Sequence, residues 1–146
     1  MLNEDKFKTI IQNTPLISID LIINNDLNQV LLGQRVNEPA RNYWFVPGGR
    51  VFKDETLENA FKRLTLNEIG IEIPQDKAKF LGVYEHFYDN NFFNTEFSTH
   101  YVVLAYKLKI DKLPKVNSQH HQYMWFNIDE LLKSKKVHKY TKNYFK

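Results

Sequence analysis

The chain has 146 residues, 42% of them apolar and 25% charged, which is the composition of one globular domain. It contains no cysteine, so disulfides, zinc–thiolate sites and thiol nucleophiles are excluded. No stretch approaches the ~18 apolar residues of a membrane span, and the charged start MLNEDKFKTIIQNT lacks the apolar run of a signal peptide. We expect a single cytoplasmic domain over residues 1–146 that does not bind a membrane. The net charge of +3 is too small to indicate a nucleic-acid partner.

The first third of the chain predicts a helix followed by short strands. Residues 4–12 place apolar side chains on one helical face, and Pro15 prevents the helix from continuing. Residues 16–23 and 29–34 predict a hairpin, because β-branched runs flank the turn cluster NNDLN. Residues 44–46 (WFV) form a short strand that stops at Pro47-Gly48-Gly49.

One long helix is predicted at the centre of the chain. Its pattern runs from Glu55 to Ile69, with Asp54 placed to cap its start and Gly70 placed to end it. Three further strands are predicted, over residues 80–88, 99–110 and 122–126. A short helix over residues 128–134 follows them, and Asn127 could cap it. Strands on both sides of a central helix, with more helix at the end, predict an α/β fold in which both faces of a mixed sheet are covered.

The central helix carries a carboxylate on its apolar face. Glu68 shares that face with a stripe that should contact the core, namely Leu57, Ala60, Phe61 and Leu64. A carboxylate there costs free energy unless it is paired, and a bound cation is one of the strongest partners. The alternative is that the helix frays at this point and Glu68 reaches water. The helical pattern favours neither alternative.

The segment before and through this helix resembles a known motif. Pro47-Gly48-Gly49-Arg50 permits close approach of the backbone to a ligand, and Gly49, Glu55, Arg63, Glu68 and Gly70 then follow at set intervals. This spacing over residues 49–71 resembles the Nudix box, G-x5-E-x7-R-E-U-x-E-E-x-G-U, with U aliphatic. Leu64 and Asn67 stand where the usual box has glutamates, and Thr65 replaces an aliphatic residue. The carboxylate cluster has therefore shrunk to Glu68, which can anchor about one ion.

The variant box resembles that of the GDP-mannose mannosyl hydrolase branch of the Nudix family. Other segments agree with that branch, namely residues 14–16, 43–51, 53–58, 86–89, 99–104 and Gln119-His120. The resemblance implies a Nudix α/β/α sandwich that forms a homodimer. It also implies hydrolysis of a small-molecule nucleotide sugar at the anomeric carbon, with inversion. GDP-mannose is the implied substrate, and GDP-glucose is a second candidate.

The resemblance also implies roles for individual residues. One Mg²⁺ per active site would be held by the carbonyl of Gly49 and the side chains of Glu68 and Gln119. His120 matches the general base, and an imidazole with a pKa near 6.5 is mostly neutral at pH 7. Arg35 and Arg50 match arginines of the family that contact the diphosphate and assist catalysis. Positions near the sugar and the leaving group are matched by Asp20, His86 and Tyr101.

Several of these residues have structural alternatives. Arg35 could form a surface salt bridge with Glu38, and His86 and Tyr101 could be core residues that make one hydrogen bond. The basic and aromatic tail 133–146 could contact phosphates or form the wet face of a terminal helix. Aromatic candidates for stacking on guanine are Phe7, Tyr43 and Phe87, and no spacing selects among them.

Two other functions compete with attack at carbon. The first is an ordinary Nudix pyrophosphatase that cleaves a nucleoside diphosphate compound at phosphorus. The second is a non-catalytic module that binds sugar nucleotides through a degraded box. Retention of Glu68, Gln119 and His120 argues against the second.

Overall fold

The computed structural model describes residues 2–94, 96–111 and 122–146. Its helices are α1 Glu4–Asn13, α2 Leu57–Ile69, α3 Ile128–Lys133 and α4 Lys139–Lys142, and single 3-10 turns cover Gln75–Lys77 and Asn143–Phe145. Its strands are β1 Leu16–Asn24, β2 Gln29–Gln34, β3 Trp44–Phe45, β4 Gly48–Arg50, β5 Lys79–Tyr88, β6 Thr99–Lys109 and β7 Tyr123–Asn127. No helix within these ranges is long and apolar enough to cross a membrane.

The strands form one mixed sheet, as the sequence predicts. The main path runs β3-β2-β1-β6-β5, with β4 paired to β1 and β7 paired to β2. β1 runs parallel to β6 along the whole length of β1, from Leu16 opposite Tyr101 to Asn24 opposite Lys109. The other pairs are antiparallel, and the predicted hairpin of β1 and β2 is confirmed.

The glycine segment β4 separates β1 from β2. β1 pairs with β2 near the hairpin, where Asn24 lies opposite Val30, and then pairs with β4 along residues 18–20. The sequence predicts that the preceding strand stops at Pro47-Gly48-Gly49, whereas in the structure Gly48–Arg50 is itself a strand. The glycines form a strand here because the two backbones lie very close together. A Cβ on Gly48 would lie 2.2 Å from the carbonyl oxygen of Ile19, so this close pairing requires glycine.

Both faces of the sheet are covered, which confirms the predicted layering. Alternate residues of β1 point to opposite faces. One face packs against α2 and the other against α3 and the end of the chain. The α2 side buries Ile19, Leu21, Leu31, Phe61, Leu64 and Tyr106, and the other side buries Ile22, Leu32, Trp44, Phe126, Leu131 and Val137.

The boundaries of α2 correct part of the prediction. The cap is Thr56, whose Oγ1 accepts a hydrogen bond from the amide of Asn59 at 3.1 Å. Asp54 is not the cap, because it occupies a left-handed turn (φ 66°) before the helix begins. Gly70 ends the helix with φ 75°, as predicted. Leu57 does not contact the core as predicted; it lies in the first turn and is 39% exposed.

Thr65, the departure from the aliphatic position of the box, has a structural role. It is fully buried, and its hydroxyl donates to the carbonyl of Lys62 at 3.0 Å. The same oxygen accepts a hydrogen bond from the amide of Ile73 at 3.0 Å. The hydroxyl thus fixes the chain that leaves α2 to the body of the helix.

We predict that Thr65→Val lowers the free energy of unfolding by ~1–3 kcal/mol, because valine keeps the shape but leaves the part-buried amide of Ile73 without its partner. Urea unfolding monitored by circular dichroism measures the change. The control is Thr9→Val in α1, where the hydroxyl donates to the carbonyl of Asp5 on an exposed surface. We expect a change within about 0.5 kcal/mol there. Equal losses in the two variants would contradict this role.

Candidate active site

A cavity of about 180 Å³ lies where β4 separates β1 from β2. It is lined by every predicted site residue that the structure describes: Asp20, Arg35, Gly49, Arg50, Glu68, His86 and Tyr101. These residues come from distant parts of the chain, on β1, β4, α2, β5 and β6 and just after β2. Gln119 and His120 lie outside the described residues.

Glu68 faces this cavity from an intact helix. α2 continues to Ile69, so the alternative that the helix frays before Glu68 is wrong. Glu68 is half-buried, and its Oε2 accepts a hydrogen bond of 2.5 Å from the hydroxyl of Tyr123 on β7. Tyr123 is not among the predicted site residues, because nothing local in the sequence relates the start of the last strand to the end of α2.

Leu64 stands at a position where the usual box has a glutamate, and its side chain packs in the core. A Cβ on Gly49 would lie 2.5 Å from Leu64 Cδ2, so the leucine side chain rests directly on the glycine backbone. Leu64 is 4% exposed and belongs to the core beneath α2. Asn67, at the other substituted position, is exposed. The substitutions therefore leave Glu68 as the carboxylate that this part of α2 presents to the cavity.

The glutamate and arginine of the box brace the glycine segment. Arg63 donates to both carboxylate oxygens of Glu55, at 2.7 and 2.9 Å, and also to the carbonyl of Arg50 at 2.7 Å. Glu55 accepts a further hydrogen bond of 3.0 Å from the amide of Phe52. The hydrogen bonds from Arg63 hold the pKa of Glu55 below its usual range. This charged pair fixes the backbone that carries Gly49 and Arg50.

The two cavity arginines lie against aromatic rings. The guanidinium of Arg50 lies 4.8 Å from the ring centroid of Phe7 and 5.1 Å from that of Phe52, and burial lowers its pKa. Arg35 lies 5.4 Å from the centroid of Phe45, and its charge opposes the rise in the pKa of Tyr101 that burial causes. Such contacts keep a guanidinium in place without neutralising its charge.

The predicted alternative partner of Arg35 is engaged elsewhere. The carboxylate of Glu38 accepts a hydrogen bond from Asn90 at 2.9 Å and lies 3.8 Å from Arg41. The alternative prediction of a surface salt bridge between Arg35 and Glu38 is therefore wrong, and Arg35 lines the cavity instead.

Asp20 and His86 are both held by tyrosines of the chain end. Asp20 Oδ2 accepts a hydrogen bond of 2.6 Å from the hydroxyl of Tyr144, and burial raises the pKa of Asp20 to about 6. His86 is 6% exposed and stacks on Tyr140 with centroids 4.3 Å apart. Burial, together with the nearby His138, lowers the pKa of His86 to about 4, so its imidazole is neutral at pH 7.

The guanine candidates do not line this cavity. Phe7 lies under Arg50, Tyr43 packs on His138, and Phe87 stacks on His100. The described residues that line the cavity include other aromatic side chains that the sequence analysis did not select, namely Phe45, Tyr88 and Tyr123. The basic and aromatic composition of the tail 133–146 was the sequence feature that could have indicated a role for Tyr140 and Tyr144 at the site.

The fold and the site define an α/β/α sandwich whose glycine-rich strand–loop–helix unit presents Glu68 and Arg50 to a small cavity that Arg35 also lines. The chain belongs to the NUDIX family, whose domain model matches residues 14–146. Over 124 residues it is 41% identical to the "Low-salt glycan biosynthesis protein Agl8" of Haloferax volcanii, covering 84% of this chain and 78% of that protein.

Other similar proteins share the fold or part of the chain. The MutT protein of Methanosarcina mazei superposes with a TM-score of 0.72 at 20% identity, covering 91% of this chain and 92% of that one. The MutT NUDIX hydrolase of Burkholderia pseudomallei gives 0.71 at 25% identity, covering 90% and 95%. An ADP-ribose pyrophosphatase of Methanocaldococcus jannaschii is 41% identical over 70 residues, which are 48% of this chain and 40% of that protein.

Nudix hydrolases generally use a divalent metal such as Mg²⁺, and the cavity residues fit one such ion. The carboxylate of Glu68 and the backbone of Gly49 line the same cavity, and oxygen donors are what Mg²⁺ prefers. Within the described ranges, no three His, Asp or Glu side chains are grouped to hold a metal. A divalent ion bound here would therefore take much of its shell from water and phosphate oxygens, as Mg²⁺ commonly does.

We predict that acidification destabilises the fold through His86 and His138. Burial lowers the pKa of each to about 4. Between pH 6.5 and 4 the unfolded state therefore binds more protons than the folded state, and the free energy of unfolding decreases as the pH is lowered. Asp20 acts in the opposite direction, because its pKa of about 6 lets the folded state take a proton first. Thermal melts from pH 7 to 4.5 should show a shallower loss for His86→Phe and a steeper loss for Asp20→Asn than for the wild type. The same slope in all proteins would contradict this assignment.

Proposed function

We propose that this protein hydrolyses a nucleotide sugar to the nucleoside diphosphate and the free sugar, with GDP-mannose as substrate and GDP-glucose as the second candidate. Water attacks the anomeric carbon and inverts its configuration. One observation carries the proposal: Glu68 is the carboxylate that α2 brings to a cavity holding Arg35 and Arg50, while Leu64 occupies the place of a second carboxylate.

A thinned carboxylate set suits attack at carbon. The usual cluster holds several ions for attack at phosphorus, whereas departure of an intact diphosphate needs only neutralisation of its developing charge. When bound to Gly49, Glu68 and Gln119, one Mg²⁺ would supply part of that neutralisation. The guanidinium groups of Arg35 and Arg50 line the same cavity and match the fork geometry of phosphate oxygens.

The electron and proton balance of the step is simple. The oxygen of water forms a bond to the anomeric carbon, and the bond from that carbon to the β-phosphate oxygen breaks. The electron pair leaves on the phosphate oxygen of GDP, and the proton of water passes to a base. We assign that base to His120 because of the resemblance of Gln119-His120 to the family motif. GDP is a stable anion, so its departure does not need a general acid.

Three hydrogen-bonding side chains of the cavity suit a sugar. Asp20, His86 and Tyr101 line the cavity and offer a carboxyl, a neutral imidazole and a phenol. Each can exchange hydrogen bonds with sugar hydroxyl groups. The name of the Haloferax relative refers to glycan biosynthesis, which supports a glycan-related substrate class. We carry the homodimer over from the family resemblance as part of this proposal.

Cleavage at phosphorus is the competing function, and partial relatives favour it. The ADP-ribose pyrophosphatase already described and an RNA pyrophosphohydrolase of Pseudomonas putida align with this chain over 70 and 55 residues, at 41% and 38% identity, respectively. Both carry names that denote pyrophosphate cleavage. Product analysis separates the two reactions, because only attack at carbon releases GDP and free mannose.

We predict that hydrolysis of GDP-mannose in ¹⁸O-labelled water with Mg²⁺ places the label in mannose and none in GDP. Mass spectrometry of both products measures its position. The label enters mannose because water attacks the anomeric carbon. Formation of GMP and mannose 1-phosphate would establish the pyrophosphatase. Tight binding of GDP-mannose by calorimetry without any turnover would establish the non-catalytic module.

We further predict that Glu68→Gln raises the Mg²⁺ concentration needed for half-maximal activity by about tenfold or more, because the amide is a weaker ligand than the carboxylate. A Mg²⁺ titration of the initial rate measures this shift. Glu58→Gln is the matched control, since Glu58 lies on the same helix in an exposed pair with Lys62. An unchanged Mg²⁺ requirement in Glu68→Gln would remove Glu68 as a ligand.

The proposed base has a separate test. We predict that His120→Gln lowers kcat by about 10²–10⁴-fold and leaves the affinity for GDP-mannose nearly unchanged, because a base acts on the water and not on substrate binding. Steady-state kinetics and calorimetry on the same preparation measure the two effects. Normal turnover in His120→Gln would remove the proposed base.

A further inference from the structure

The end of the chain packs directly on the candidate active site. We define the C-terminal segment as residues 138–146, which comprise α4 and the turn that follows it. The amide of His138 donates to the carbonyl of Trp44 at 3.1 Å, which anchors the segment to β3. Tyr140 and Tyr144 are four residues apart and project from the same side of this segment. The segment therefore brings two phenol groups to the sheet.

Tyr144 reaches the carboxyl of Asp20 on β1. Its hydroxyl donates to Asp20 Oδ2 at 2.6 Å, and its ring packs edge-on against Tyr84 with centroids 4.7 Å apart. The other carboxylate oxygen, Oδ1, lies over Gly48: a Cβ on that glycine would be 2.9 Å from it. Asp20 is thus held between the chain end and the glycine segment, with its carboxyl on the cavity wall.

Tyr140 holds the strand that carries His86. Its hydroxyl accepts a hydrogen bond from the amide of Phe87 at 2.9 Å and donates to the carbonyl of Phe87 at 2.8 Å. These two backbone groups belong to β5, which lies at the end of the strand path. The ring of Tyr140 stacks on His86 within 8° of parallel. One side chain therefore fixes both the strand and the imidazole beside it.

We propose that the C-terminal segment is a wall of the active site and that Tyr144 is a positioning residue for Asp20. The proposal rests on the proposed function in assigning Asp20 to the substrate. Tyr144 fixes one carboxylate oxygen, so the carboxyl plane keeps the orientation in which the other oxygen lies beside the glycine segment. This gives the basic and aromatic tail a specific task at the site, in place of a solvated terminal face.

The surroundings of Asp20 make this hydrogen bond consequential. The ionisable groups that act on its carboxyl are Tyr88, Tyr101, Tyr144 and Arg35. Burial raises the pKa of Asp20, whereas the hydrogen bond from Tyr144 and the charge of Arg35 lower it. Loss of the Tyr144 hydroxyl would therefore free the orientation of the carboxyl and disfavour its ionised form.

A double-mutant cycle tests whether Tyr144 acts through Asp20. We expect Tyr144→Phe to lower kcat/KM for GDP-mannose by about tenfold, because a hydrogen bond to a charged group is lost while the ring remains. In an Asp20→Asn background the same change should cost less than about twofold. The control is Tyr106→Phe, which removes a hydroxyl that accepts from Gln75 at 2.8 Å on the α2 side of the sheet. Additive losses in the cycle would overturn the proposal.

A titration separates this proposal from the proposed function. Carbon-detected NMR of the Asp20 carboxyl, without substrate, should give a higher pKa in Tyr144→Phe than the value of about 6 expected for the wild type. Tyr106→Phe should leave it unchanged. An unchanged Asp20 titration in Tyr144→Phe, or failure of that variant to fold, overturns the positioning role. Absence of GDP-mannose hydrolysis by the wild type, with the shifted titration intact, overturns only the proposed function.

Discussion

The pairing of the glycine segment with β1 is the contact on which the site depends. β4 lies so close to β1 that a side chain at residue 48 would collide with the carbonyl of Ile19. Because β4 occupies this place, β2 meets β1 only near the hairpin, and the space between the strands becomes the cavity. The backbone of Gly49, the guanidinium of Arg50 and the carboxyl of Asp20 are brought together by this one contact.

Two further interactions keep the glycine segment in place from below. Leu64 packs on the backbone of Gly49, and Arg63 ties the carbonyl of Arg50 to Glu55. The first is apolar and the second is a bidentate charged pair, so they resist different displacements. Leucine in place of the usual glutamate therefore has two effects: it removes a carboxylate from α2 and adds a packing contact under the loop. The same substitution therefore alters both the metal-binding groups of the site and the packing that stabilises the loop.

Much of the fold followed from local pattern, and the failures have local causes. The strand runs and the helix before Gly70 carry strong periodicity and end signals, and these elements are present. Asp54 and Thr56 are both good capping types two positions apart, so only backbone geometry decides between them. β4 has just three residues, including two glycines, and owes its strand conformation to β1 rather than to propensity.

The site was predictable as far as the family motif reached. Asp20, Arg35 and His86 lack any local signal that would bring them to one cavity, and only the resemblance connected them. The tyrosines that hold this set were missed because the hydrogen bonds between Tyr144 and Asp20 and between Tyr123 and Glu68 join residues 124 and 55 positions apart. Such pairs depend on how the layers stack, which a single sequence does not specify.

The charge distribution in the cavity indicates what kind of ligand suits it. Burial lowers the pKa of Arg50, because it removes part of the water around the guanidinium group. The imidazole of His86 stays neutral at pH 7, whereas the carboxyl of Asp20, with a pKa of about 6, is mostly ionised there and accepts hydrogen bonds. An anionic group beside the arginines would restore the lost solvation, and a neutral polar group would suit the side of Asp20 and His86. A diphosphate joined to a sugar has both parts in one molecule, and the bond between them is the one that the proposed reaction breaks.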